Sequence, residues 1–183
     1  MIYFEDGELI IESKDVRVYN YKDELFLEIG KGHTLWTLES ELDEYVKQLK
    51  DNPFGDVLEV GLGLGVASRF MLSLSPVKTL TTVELNYNVI NVHKEVSKIR
   101  KSANKKHTII NDSGLHYICT TENEYDFIFL DFYDRIDEDT LPSIHDMVNN
   151  CKRILRPNGR IMAWFDPYTP EEFVGPFYAL FEK

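Results

Sequence analysis

Glu59-Val60-Gly61-Leu62-Gly63-Leu64-Gly65 follows directly on the apolar pair Val57-Leu58 and runs into Val66-Ala67-Ser68-Arg69-Phe70-Met71. A short apolar run that breaks into alternating glycines and resumes with helical spacing reads as a strand, a tight turn and a helix. Glycine accepts backbone conformations closed to other residues, and it lets a ligand lie against the main chain at a helix amino terminus. The spacing is Gly-x-Gly-x-Gly, with Val66 standing where a dinucleotide fingerprint carries its third glycine. That pattern favours a nucleoside without a pyrophosphate. Leu80-Thr81-Thr82-Val83 then ends on Glu84, about 20 residues beyond the glycines, where a carboxylate accepts hydrogen bonds from ribose hydroxyls.

Working outward, short apolar runs at 57–60, 80–84, 107–110, 126–130 and 160–165 alternate with helical stretches at about 66–74, 89–101, 115–120 and 141–155. Phe127-Ile128-Phe129-Leu130 is apolar throughout, as expected of a strand covered on both faces. Arg156-Pro157-Asn158-Gly159 reads as a helix stop and turn. The expected fold is α/β, a doubly wound, mostly parallel Rossmann-like sheet. Ahead of it, residues 8–13, 15–21 and 24–29 alternate apolar and polar side chains between turn residues, a small β meander. Gly30-Lys31-Gly32 breaks that pattern, and a helix over about 38–50 presents Leu38, Leu42, Tyr45, Val46 and Leu49 on one face. We divide the chain into a meander, 1–35, and a nucleoside-binding domain, 36–183. Residues 171–183 leave room for one more strand, at 177–181.

Composition narrows the partners. The 183 residues carry 31 acidic and 20 basic side chains, a net charge of −11. Such a surface repels a phosphate backbone and favours a small cationic amine over a nucleic acid. The amino terminus lacks a basic, apolar leader and no apolar run reaches the length of a bilayer span, so no membrane partner is expected. Cys119 and Cys151 have no framework partners, which makes a reducing cytoplasm the expected location. The five histidines form no metal-binding motif, and no metal is expected. An unfinished sheet edge needs cover, and a homodimer is the expected means.

The motif series resembles that of the class I S-adenosylmethionine (SAM)-dependent methyltransferases. The resemblance rests on Glu59–Gly65, on Glu84, on Asn111-Asp112 after the third strand, on Leu130-Asp131 after the fourth and on Leu155–Arg160 before the fifth. It implies SAM as cofactor. Glu59, Gly61, Gly63 and Gly65 would lie by the methionine part. Glu84 and Leu85 would lie by the ribose. Asp112 would accept from the adenine amino group with Ser113 beside it, and Asp131 would lie near the reacting sulfonium.

Within that superfamily the chain resembles two groups. The meander, the entry Thr37–Tyr45, the loop Asn111–Tyr117 and the Asp131-Phe132-Tyr133-Asp134 spacing are similar to spermidine synthases, which implies Tyr45, Asp131 and Asp134 as catalytic residues. The stretch from Tyr125 to Gly159 is similar to guanidinoacetate-type N-methyltransferases, which implies Asp131 as acceptor of a proton from the substrate nitrogen. Leu64 stands where spermidine synthases carry an aspartate, and Trp36 where they carry a glutamine. On that ground the expected activity is SAM-dependent N-methylation of a small amine. The alternatives are aminopropyl transfer from decarboxylated SAM and a non-catalytic nucleoside-binding module.

The physical chemistry asks for an aligned neutral nitrogen and a carboxylate to take its proton. Asp131 and Asp134 are expected to raise one another's pKa. Asp137-Glu138-Asp139 is assigned to the helix start at Leu141-Pro142, and His33 and Trp36 are weaker pocket candidates.

Overall fold

The computed structural model of the protein describes residues 7–30, 34–37, 40–99 and 106–181. His33, the Trp36 side chain, the glycine break at Lys31-Gly32 and the expected helix ends at Leu38 and Lys101 fall outside the described residues. Four antiparallel strands, β1 (Glu8–Ser13), β2 (Val16–Tyr21), β3 (Glu24–Ile29) and β4 (Thr34–Thr37), pair in chain order. The meander therefore has a fourth strand and continues past the expected boundary at position 35. Lys14, Lys22 and Asp23 take positive φ at its two tight turns.

After α1 (Ser40–Leu49), strands β5 (Gly55–Val60), β6 (Val77–Glu84), β7 (His107–Asn111), β8 (Tyr125–Leu130) and β9 (Leu155–Ala163) form a wholly parallel sheet in the order β7-β6-β5-β8-β9. Helices α2 (Val66–Ser73), α3 (Tyr87–Ile99), α4 (Gly114–Thr120) and α5 (Leu141–Cys151) make the crossovers. The strand order reverses on either side of β5, so a crevice opens beyond the carboxyl ends of β5 and β8.

Two-residue periodicity along the strands splits the core. Val57, Leu80, Phe127 and Phe129 face the layer that holds α1, α2, α3 and the meander's Val16, Val18, Leu25 and Leu27. Leu58, Val83, Ile128 and Leu130 face Ile118 of α4, Ile144 and Val148 of α5, and Phe177. Phe177 belongs to α6 (Glu171–Ala179), a helix where a strand at 177–181 was expected. Its first turn carries Glu171 and Glu172, which suit a helix amino terminus, and Phe177 packs on Phe165 and Phe181. Ser13 and Asp15 of the meander bond to Asn88 on α3, tying the small sheet to the large one.

The expected turn at 156–159 is an excursion inside β9. Tyr125 pairs with Leu155 but Phe127 pairs with Arg160, and Asn158 takes φ 67°. Arg156 uses this excursion to reach Asp56 and Asp126, each at 2.8 Å, across the amino ends of β5 and β8. Asp137 accepts from the amides of Asp139 and Thr140 just ahead of α5, in line with its assigned structural role.

Glu59 requires a correction. Its side chain lies inside the sheet–helix core, 1% exposed, where it accepts hydrogen bonds from Ser68 of α2 and Thr82 of β6, both at 2.5 Å. It is a packing group behind the glycine turn, because strand alternation points it into α2 rather than toward the crevice. Burial raises its pKa from 4.5 to about 8, against the two hydroxyl hydrogen bonds. The folded protein thus holds a proton on Glu59 that the unfolded chain releases near 4.5. This stabilisation is complete below that pH and is lost as pH rises to about 8. Glu59→Gln, a neutral isostere, is expected to flatten that decline. The difference in urea-unfolding free energy between variant and parent, followed from pH 4.5 to about 8, checks it.

Candidate active site

The glycine turn crosses the top of the sheet at its switch point. The amide of Gly61 bonds to Val83 O at 2.9 Å and that of Asp131 to Val60 O at 2.8 Å, continuing the ladders of β5, β6 and β8 by one residue. Trp164 N to Leu130 O, 2.8 Å, extends the row to β9. Gly61 has φ +100°, and a Cβ there would lie 1.8 Å from the carbonyl oxygen of Asp131. Gly63, at φ +49°, has open space where its Cβ would be. Gly65 differs in role: it turns the chain into α2 and packs against the buried ring of His93, away from the cavity.

Above the turn is a cavity of about 470 Å³, a size suited to a small-molecule ligand. Gly61 and Gly63 form its floor. Glu84 and Leu85, at the end of β6, form one side; Ser113, Gly114 and Leu115 at the start of α4 form the next. Glu84 accepts from Leu62 N at 2.9 Å and Asn86 N at 2.7 Å, one amide on each oxygen. The Leu85 amide also reaches this carboxylate, whose roughly four acceptor sites still leave room for a further donor. Burial raises the Glu84 pKa against those amides. Leu85 is 75% exposed and Leu115 is 42% exposed, so two apolar side chains stand open at the cavity edge.

The lining also holds Tyr45, Asp131, Tyr133 and Asp134. Tyr45, on α1, donates to Asp131 Oδ2 at 2.7 Å. Burial pushes Asp131 up to about 6; the Tyr45 hydrogen bond acts in the opposite direction and the negative charge of Glu84 adds to the rise. The expected mutual effect of Asp131 and Asp134 is therefore replaced by burial and Glu84, since Asp134 is exposed at the cavity mouth. Tyr133 donates to the carbonyl of Trp164, and burial next to Asp131 and Asp166 raises its hydroxyl pKa. Glu84, Asp131 and Asp134 are the charged residues of the lining; no lysine, arginine or histidine stands among the described residues that form it.

Asp112 also departs from expectation. It stands off the cavity wall, accepting from Ser113 N at 2.7 Å and pairing with His116 Nδ1 at 2.8 Å, which holds its carboxyl below the usual range. The i, i+4 spacing of Asp112 and His116 makes this local pair available. The sequence reading missed Ile29 of β3, Leu115 and Met147 as lining residues. It also missed Trp164, whose ring lies 4.8 Å from that of Tyr45. Leu115 had a signal in its place two residues after Ser113; Ile29 and Met147 had none, because only the tertiary fold brings them to the crevice.

Residues 40–165 match the family described as the spermine/spermidine synthase domain. The polyamine aminopropyltransferase of Prochlorococcus marinus (strain AS9601) is 30% identical over 122 residues, which cover 64% of this chain and 42% of that protein. The spermidine synthase structure from Thermotoga maritima superposes with a TM-score of 0.68 at 20% identity, covering 94% of this chain and 62% of that one. A spermidine synthase in complex with the transition-state analogue AdoDATO gives 0.71 at 19% identity, covering 95% and 62%. The chain thus spans about half the length of the curated relatives it matches, 42% in the Prochlorococcus case.

These similarities overturn the expectation of N-methyl transfer. That expectation leaned on single departures, Leu64 in the turn and Trp36 ahead of α1, whereas the match runs from α1 to just past the end of β9. In the structure Leu64 is 4% exposed and packs into the core around α2 while also bordering the cavity, so packing accounts for its apolar character. No helix among the described residues is long and apolar enough to cross a membrane. Tyr45, the glycine turn, Glu84 and Asp131 all fall inside the matched segment, and the chain belongs to the spermine/spermidine synthase family.

Proposed function

We propose that this chain transfers an aminopropyl group from decarboxylated SAM to a small amine. The observation that carries the reading is the charge of the cavity: Glu84, Asp131 and Asp134 line it with no cationic side chain among the described residues. A methionine carboxylate, as in SAM, would enter this lining without a positive partner, at the cost of an unpaired charge. A decarboxylated donor carries only cations at that end and meets carboxylates instead.

Each lining group has work suited to its chemistry. Gly61 and Gly63 let the sulfonium chain lie on the backbone. Glu84 offers its free lone pairs to the ribose hydroxyls, and Leu85 and Leu115 flank the base. Asp131 attracts the protonated amine, takes its proton and leaves a lone pair facing the carbon next to sulfur. The new N–C bond forms as the C–S bond breaks, its electron pair passing to sulfur, which leaves as a neutral thioether. Tyr45 holds the Asp131 carboxylate in line, and Asp134 at the mouth draws a second ammonium of the acceptor.

Titration calorimetry is expected to give decarboxylated SAM at least about tenfold tighter binding than SAM, roughly 1.4 kcal/mol; equal affinities, or a preference for SAM, overturn the reading. With putrescine as acceptor, kcat/KM rises with pH through about 6 as Asp131 loses its proton. Asp131→Asn removes that limb and lowers kcat by about 100-fold or more. Retention of both the limb and the rate in the variant counts against Asp131 as the base.

The turn offers a separate check. Gly63→Ala is expected to weaken nucleoside binding with a stability loss of about 1–2 kcal/mol from its left-handed φ. Gly61→Ala, facing the Asp131 carbonyl at 1.8 Å, is expected to cost more than that in chemical denaturation.

A further inference from the structure

Gln48 lies one turn beyond Tyr45 on α1, and its side-chain amide binds both backbone groups of one residue. Its Nε2 donates to Phe165 O at 2.9 Å, and its Oε1 accepts from Phe165 N at 3.0 Å. Phe165 follows Trp164, whose own backbone is held on both sides: its amide donates to Leu130 O and its carbonyl accepts from Tyr133. The Trp164 ring packs on Tyr45, and Tyr45 reaches Asp131. A closed circuit thus runs from Gln48 through the end of β9 to the end of β8 and back through Tyr45.

Apart from Gln48 and the Tyr45 hydroxyl on Asp131, the described inward side chains of α1 pack by apolar contact: the Tyr45 ring and Leu49 are buried in the core with α2, and Leu42 packs against it. Apolar burial is non-directional and tolerates small slides along a helix axis. Hydrogen bonds at 2.9 and 3.0 Å do not. The amide of Gln48 supplies the directed contact that sets α1 along its axis against β9. Asn52 reinforces it by donating to Gln48 O at 3.1 Å.

We propose that Gln48 is a positioning residue that fixes the Tyr45 hydroxyl on Asp131 by clasping the backbone of Phe165. The functional consequence rests on the reading of Asp131 as proton acceptor; the geometric one does not. Its neighbours on α1 do not share this part, because Lys47 is turned outward to Glu44 and Val46 has no polar group in its side chain. The charged and titratable groups around Asp131 are Tyr45 from α1, Glu84 at the end of β6, Glu59 within β5, Tyr133 and Asp134 on its own loop, and, by way of Tyr133, Asp166 beyond β9. Gln48 is neutral, so it acts on Asp131 by placing other groups rather than by charge, and Tyr45 is the group assigned that part, against the backbone route through Trp164 and Leu130.

The test is a double-mutant cycle read by carbon-13 NMR titration of the Asp131 carboxyl in the intact chain. Tyr45→Phe is expected to move the Asp131 midpoint upward, by about half a unit or more, because the hydrogen bond that favours the charged form is gone. Gln48→Met, of similar length but without an amide, is expected to move it upward in the parent chain and to leave it unmoved in the Tyr45→Phe variant. Gln48→Glu keeps the acceptor for Phe165 N. In the same cycle it cancels any direct charge effect and gives a smaller coupling than Met; it also supplies the result if the Met variant does not fold.

A Gln48 shift of equal size with and without the Tyr45 hydroxyl, or no shift at all in folded protein, overturns the proposal. In turnover, Gln48→Met lowers kcat several-fold with little change in KM for the donor. If the parent transfers no aminopropyl group, the function proposed above fails while the coupling between positions 45 and 48 is still decided by the titration.

Discussion

The closeness of two backbones decides the rest of this site. At Gly61 the main chain leaving β5 passes so near the carbonyl of Asp131 that the first carbon of any side chain would overlap it, 1.8 Å away. Only a residue without a Cβ allows the ends of β5 and β8 to stay paired one step past the sheet. That pairing sets the Asp131 side chain beside the glycine turn, and the turn in turn puts the Leu62 amide within reach of Glu84. Three strand ends are thereby brought to one cavity by a constraint that is steric in origin.

On that frame the electrostatics follow from burial. Two carboxyl groups, Glu84 and Asp131, are set where water is scarce, and each is answered by a donor: backbone amides for Glu84, the Tyr45 hydroxyl for Asp131. The donors offset part of the desolvation, and among the described residues of the lining neither carboxyl has a basic partner. A site built this way keeps its negative charge available for an arriving cation instead of spending it internally. Behind the turn, Glu59 solves the opposite problem. Enclosed by Ser68 and Thr82, it is held near neutrality and behaves as a polar packing element.

Much of this was legible in the residues. The five-strand alternation, the glycine turn at the switch point and Glu84 as the acidic strand end rest on local patterns that the fold retains, whereas Tyr45 and Asp131 are each marked only by resemblance and the fold alone brings them to 2.7 Å. What was not legible depends on direction. Glu59 and Asp112 have the right type and position in sequence, but strand alternation turns one into the core, and an i, i+4 histidine draws the other aside. Residues 177–181 suit a strand in composition, yet the aromatic face they form packs better on Phe165 as a helix. The choice between methyl and aminopropyl transfer is not legible at Leu64 and Trp36, because isolated side chains weigh less than a match over more than a hundred positions. Gln48 had no local signal, since its partner lies 117 residues away.

Ile29 completes the cavity wall, and it comes from the meander. The same small sheet sends Val16, Val18, Leu25 and Leu27 into the core shared with α1, α2 and α3, and is laced to α3 through Asn88. The antiparallel strands are therefore not a detachable leader joined to a ready-made binding domain. Excising them would strip a wall from the ligand chamber and lay bare the greasy side of the helices behind it. The two sheets share one core, and a proteolytic cut between them would trade a specific pocket for a sticky surface.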